Sequence, residues 1–215
     1  MKLSLCNEVV RELPFGRQCE LAAQLGYAGL ELAPFTLGDE TYRMPSAERS
    51  KVRRACTDAG IAISGLHWLL VAPKGLSITT ADRAAWEKTV HVMRRLVGLC
   101  AELGGQYLVH GSPAQRQTGG DPDAARRAEA AWAAVAPEAE SARVAYCIEP
   151  LASRETDFVN TLAEAAAIVR RIGSPALRTM IDTSAAALAE PEPVAAAIER
   201  WMPTGLIAHV QLNDS

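Results

Sequence analysis

Three separated stretches of this chain follow one plan. They are AQLGYAGLEL at 23–32, TDAGIAISGLH at 57–67 and AELGGQYLVHG at 101–111. Each closes a helix-like run, stops it at a glycine, continues as a short apolar run and delivers a polar residue. Glycine is the preferred residue just past a helix end, because the chain there turns left-handed. A short apolar run bounded by turn residues is a buried strand. Strand and helix in regular alternation mean parallel strands joined by right-handed crossovers.

The same plan runs through the rest of the sequence. Strands are expected at Lys2–Cys6, Ala28–Leu32, Ile61–Leu66, Gln106–Val109, Val144–Ile148, Leu177–Ile181 and Leu206–Leu212. Helices are expected at Gly16–Leu25, Ser46–Ala59, Ala84–Leu103, Asp123–Ala136, Leu162–Ile172 and Pro193–Met202. In the third of these, Trp86, Val90, Met93, Leu96, Val97, Cys100 and Leu103 recur at steps of three and four, which marks a core-facing stripe. Thr161 with Glu164 forms a capping box that opens the fifth. The polar, glycine-rich stretch Gln115–Asp123 is expected to be a mobile loop.

No GxGxxG follows the first strand, so an open dinucleotide-binding sheet has no support. A single (β/α)8 TIM barrel over 1–215 fits better. The count is one unit short, since such a barrel needs an eighth strand and a closing helix, about 250 residues in all. The expectation is a barrel truncated after its seventh strand. Its two unpaired edges call for cover by dimerisation or strand exchange, hence a homo-oligomer.

Composition narrows the classes of partner. The 215 residues are 49% hydrophobic and carry a formal net charge of -3, with no basic stripe, which argues against a nucleic-acid partner. No run of 18 apolar residues exists to span a membrane, and the first residues have too short an apolar stretch for a secretory signal. The cysteines Cys6, Cys19, Cys56, Cys100 and Cys147 are odd in number, contain no CxxC and sit among apolar residues. Reduced, buried thiols in a cytoplasmic protein are the simplest account, with zinc or redox roles disfavoured.

The chemistry gathers at strand ends. Glu31, His67, His110, Glu149, Asp182 and His209 all stand at or near the C-terminal ends of expected strands. In a parallel barrel those ends share the face where active sites sit. One such residue alone is more often a salt bridge or part of a structural polar layer; six in register favour a site. Carboxylates and imidazoles converging at a mouth suit a divalent ion, Mn²⁺ first, with Mg²⁺, Co²⁺ or Zn²⁺ as alternatives. The densest segment is VAYCIEPLASRETDFVNT, with Glu149 at its strand end and Glu155 in the loop that follows.

On these motifs the chain resembles the xylose isomerase-like TIM barrel superfamily, in its sugar isomerase/epimerase branch that includes ketose 3-epimerases. The matching pieces are AGLEL, GLHWLL, LVHGSP, IEPLASRETDFVNT, MIDTS and HVQLND. The resemblance implies Glu149, Asp182 and His209 as three of four metal ligands. It implies Glu149 also as the acid/base, and Glu155 as the holder of hydroxyls at the sugar's carbonyl end. His67, His110 and Glu31 would line the pocket, and Trp68 would stack on the substrate. The implied reaction is proton transfer beside a ketose or aldose carbonyl through an enediolate, on a small sugar or sugar phosphate. Two departures stand out. Ala185 occupies a position where the branch usually has His, and the family's fourth ligand lies on the eighth strand. Weak metal binding and little epimerase turnover are therefore expected of these residues alone. The rivals are a sugar-binding barrel without chemistry and, further off, an abasic-site endonuclease-like phosphodiesterase.

Overall fold

The structure, a computed structural model, describes residues 2–213. Among these, seven strands form one sheet in sequence order, every neighbouring pair parallel. They are β1 (Ser4–Cys6), β2 (Gly29–Leu32), β3 (Ala62–His67), β4 (Tyr107–His110), β5 (Ala145–Ile148), β6 (Leu177–Asp182) and β7 (Ile207–Gln211). The helices are α1 (Phe15–Gln24), α2 (Ser46–Asp58), α3 (Arg83–Leu103), α4 (Ala124–Ala142), α5 (Leu162–Ile172), α6 (Thr183–Ala189) and α7 (Val194–Trp201). This is the TIM barrel fold, built from seven curled parallel strands. The curl carries β7 round towards β2 and β4: His209 on β7 touches Glu31 on β2 and stacks on Tyr107 of β4, with 4.0 Å between ring centroids.

The glycine stops work as the sequence plan requires. Gly26, Gly60, Gly104 and Gly173 all have φ between 72° and 89°, each just beyond a helix. The capping box of Thr161 and Glu164 is formed at α5. Two helical segments depart from expectation. Helix α4 runs through Pro137 to Ala142, six residues past the expected end at Ala136. Its tail is held from α3, where Arg94 donates to the carbonyl of Ala134 and lies 3.1 Å from Glu138, and Ala139 is fully buried. Helix α6 has no amphipathic period to announce it. It is started by Asp182, whose side chain accepts the Ala185 N–H.

The stretch Gln115–Asp123 is tied down. Thr118 gives two hydrogen bonds to Asp157 at 2.8 and 2.7 Å, Gln117 donates to the Glu155 carbonyl, and Ile78 donates to the Gln115 carbonyl. Asp214 of the HVQLND motif lies outside the described residues.

The sheet has two faces, and the split decides which residues reach the mouth. Val109, Cys147 and Met180 cluster together inside the barrel. The alternate residues Leu108, Tyr146, Ile148 and Leu177 join the main core with Trp132 and Val135 of α4. The interior is tight at Gly65. A Cβ there would lie 2.5 Å from the Tyr107 carbonyl oxygen and 2.6 Å from its ring. A backbone oxygen cannot swing aside, so Gly65→Ala is expected to cost about 1–3 kcal/mol, read from urea unfolding. A wild-type midpoint would show that the two strands separate freely.

Candidate active site

Glu149 sits one residue past β5, and Pro150 ends the strand behind it. Asp182 closes β6 on the adjacent strand. Together with Leu151, Arg154, Glu155, Ser184, Ala185 and Asn213 they line a polar cavity of about 360 Å³. Burial pushes the Glu149 carboxyl up to about 8, and the nearby charge of Asp182 pushes the same way, while Arg116 and His67 oppose. A carboxyl held there carries or yields a proton near neutral pH. Asp182 is fixed by the Ala185 N–H at 2.9 Å and by the side-chain amide of Asn213. Glu155 accepts the Ala152 N–H at 3.3 Å, which fixes its carboxylate beside the same cavity.

Gly111 makes room for Glu149. A Cβ at that position would stand 2.0 Å from Glu149 Oε2. The obstructed atom is the end of a side chain, so Gly111→Ala should displace the carboxylate while leaving the fold intact. The expected outcome is a melting temperature close to wild type with any activity at the site reduced at least tenfold. Unchanged activity would mean that the Glu149 position is immaterial.

A second layer lies across the barrel. Glu31 is buried, with Cys6 Sγ–H and Gln211 Nε2–H donating to its Oε2 at 3.0 and 3.1 Å. Its other oxygen stands 3.2 Å from His209 Nε2, and His67 Nε2 stands 2.8 Å from Glu8 Oε2. Neither close pair is aligned as a hydrogen bond, so Glu8 Oε2, Glu31 Oε1, His67 Nε2 and His209 Nε2 are all buried without a hydrogen-bond partner. Burial would raise Glu31, but His209 and His67 hold it down at about 2, so it is ionised. Burial alone would lower His67; Glu8, Glu31 and Glu149 outweigh it and raise its pKa.

The structure therefore distributes the six strand-end residues over three places. Glu149 and Asp182 share the cavity. Glu31, His67 and His209 occupy the deeper layer. His209 pairs in register with Met180, whereas Gln211 pairs with Asp182, so His209 lies one full pleat beneath the rim. The expected trio of Glu149, Asp182 and His209 does not gather its donor atoms. Among the described residues, the group of three with ligand atoms all within 4.8 Å is Cys6, Glu31 and His67.

His110 stands apart, on the face of β4 that meets the helices. Trp132 Nε1 donates to its Nδ1 at 3.1 Å, and Tyr146 Oη lies 2.9 Å from the same nitrogen. Burial, helped by Arg116, lowers it to about 3, so it is a neutral core histidine and not part of the pocket lining. Trp68 is 40% exposed just past β3, packs edge-on against Phe35 and holds φ at 51°. Strain of that kind at a barrel mouth suits a binding surface.

Gln211, Glu8, Asn213 and the fully buried Arg116 are the residues that sequence reasoning missed. Gln211 was legible two places after His209, on the same side of a strand. Arg116 had no signal: it donates to the His110 and Val159 carbonyls from a polar loop.

Carboxylates and imidazoles in close contact but off hydrogen-bond alignment, beside a carboxyl whose ionisation is opposed by a neighbouring acid, are what a divalent cation would relieve. The donor set fits such an ion.

Parallel strands, outer helices and a polar mouth of acids at strand ends define a TIM barrel. The chain belongs to the xylose isomerase-like TIM barrel family, whose model matches residues 19–215. Solved structures agree on the fold. A D-psicose 3-epimerase from Clostridium cellulolyticum H10, with D-tagatose, superposes with a TM-score of 0.83 at 17% identity, covering 100% of this chain and 73% of that one. A 3-keto-D-glucoside 4-epimerase from E. coli gives 0.81 at 16% identity, over 100% and 79%. An L-ribulose 3-epimerase gives 0.77 at 21% identity, over 100% and 70%. No curated protein matches the sequence.

Proposed function

We propose that the chain is a metal-dependent sugar isomerase or epimerase of the cytoplasm, acting on a small ketose, aldose or sugar phosphate. The observation that carries this reading is Glu149, a buried carboxyl held at about 8 beside Asp182 in a polar cavity. The chemistry that such a carboxyl suits is removal of a proton from carbon next to a carbonyl, with return of a proton to the resulting enediolate. Glu149 takes and gives the proton. Glu155 and Asn213 orient hydroxyls in the cavity. Trp68 supplies an apolar wall for a sugar face, and His67 offers a polar edge from the deeper layer.

Glu149 and Asp182 would hold the divalent ion, Mn²⁺ before Mg²⁺, Co²⁺ or Zn²⁺. Gln211, level with Asp182 on β7, would be their third donor in place of the deeper His209. An ion there would supply positive charge against the oxyanion that develops as the proton leaves.

Incubation of the protein with a panel of ketoses and aldoses, with Mn²⁺ and then with chelator, tests the reading. Slow, ion-dependent conversion of at least one sugar is expected, in keeping with the weak metal binding that so few donors allow. Saturable sugar binding without any conversion would favour a sugar-binding barrel that has lost its chemistry.

A further inference from the structure

The deeper layer contains a constellation of which the proton-transfer reading uses only the edge of His67. Cys6 ends β1, Glu31 lies in β2 and His67 ends β3, so three adjacent strands each send one ligating side chain inward. Their donor atoms all lie within 4.8 Å of one another. We propose that Cys6, Glu31 and His67 form a second metal site, distinct from the Glu149–Asp182 pair, that takes a thiolate-accepting divalent ion such as Zn²⁺.

Three observations support the assignment. The first is ligand chemistry. One thiolate, one imidazole and one carboxylate are the usual donors to tetrahedral zinc, whereas the oxygen-rich cavity of Glu149 and Asp182 suits a harder ion. The second is a pair of buried atoms whose only close contacts, to Glu8 and His209, are off hydrogen-bond alignment. Glu31 and His67 are only 2% and 6% exposed, and Glu31 Oε1 and His67 Nε2 have no hydrogen bond. A buried polar atom without a partner is costly unless something else meets it. The third is the fourth position. Glu8 Oε2 lies 2.8 Å from His67 Nε2 and His209 Nε2 lies 3.2 Å from Glu31 Oε1, so a fourth donor stands ready on either side. Two ligands of one ion, each about 2.0–2.3 Å from it, stand about 3–4 Å apart; the His209–Glu31 pair already has that spacing, and the Glu8–His67 pair would open slightly to reach it.

Binding exchanges one bond for another. The Cys6 S–H, which now donates to Glu31 Oε2 at 3.0 Å, is replaced by an S–metal bond, and its proton passes to solvent buffer. No electrons are transferred. The ion would tie β1, β2 and β3 together beneath the cavity. It would also place positive charge within the influence of Glu149, which already senses Glu31 and His67.

Cobalt reports the site directly, because a thiolate bound to Co²⁺ gives a near-ultraviolet charge-transfer band. The full chain, stripped with chelator, is titrated with Co²⁺ alone. The expected result is a band that saturates at one equivalent, persists in Glu149→Gln and vanishes in Cys6→Ser. Absence of the band in wild type overturns the proposal. So does its survival in Cys6→Ser, which would assign it to Cys19 and Cys56, whose sulfurs lie 3.6 Å apart. Should Cys6→Ser fail to fold by circular dichroism, His67→Gln decides. Co²⁺ affinity at the band falls tenfold or more if the site is real, and unchanged affinity overturns it.

Discussion

Glu149→Gln is expected to remove sugar turnover while leaving a folded protein. Loss of a positioned acid/base costs about 10²- to 10⁴-fold in rate, and here the same change deletes a charge that the proposed divalent ion would need. The substitution should also stabilise the metal-free protein at neutral pH. The carboxyl sits at about 8 in the folded chain against an ordinary value of 4.5. A raised folded value means that the native state holds a proton which the unfolded chain has released. The stability from this group is therefore complete below about 4.5, declines as pH rises, and is gone above about 8. The slope between those limits is at most about 1.4 kcal/mol per pH unit. Urea unfolding of both proteins at pH 5 and pH 8 measures it. The difference should favour the glutamine variant and grow with pH. Equal curves at both would show that Glu149 is solvated in solution.

Trp132→Ala should be the most destabilising single change in the outer layer. Trp132 is fully buried between α4 and the sheet, stacked on Phe158 at 6.1 Å and edge-on to His110 at 5.8 Å. Its Nε1–H is also a hydrogen bond to His110 Nδ1. Removing it opens a large cavity and takes a donor from a buried, neutral imidazole. The expected loss is about 3–5 kcal/mol, a fall in melting temperature of about 6–20 °C. A loss under about 1 kcal/mol would mean that the α4 contact rearranges to fill the space.

The barrel was legible because its signals are local. Four helices stop at a glycine with positive φ, Gly26, Gly60, Gly104 and Gly173, and each strand is a bounded apolar run, so repetition alone carried the topology. Glu149 and Asp182 were legible for the same reason, as acids placed where buried strands end. What escaped was parity. His110 and Glu149 both follow apolar runs, yet one faces α4 and the other faces the cavity. A shift of one residue along a strand reverses the side, and no turn chemistry near LVHGSP marks which is which. Depth escaped for a related reason. His209 lies on the inner side but two residues short of the rim, and only the register with Met180 reveals it. Cys6 and Glu8 belong to a strand of three residues and the turn after it, too short for any period to show which side chains point inward.

The account rests on Glu149 moving a proton at carbon beside a sugar carbonyl, and solvent exchange tests that step without requiring net conversion. With Mn²⁺ in heavy water, the wild-type protein should place deuterium at the carbon next to the carbonyl of a responsive sugar, followed by proton NMR. Glu149→Gln should place none above the uncatalysed rate. Exchange that proceeds equally in both proteins, or fails in wild type with every sugar tried, would contradict it.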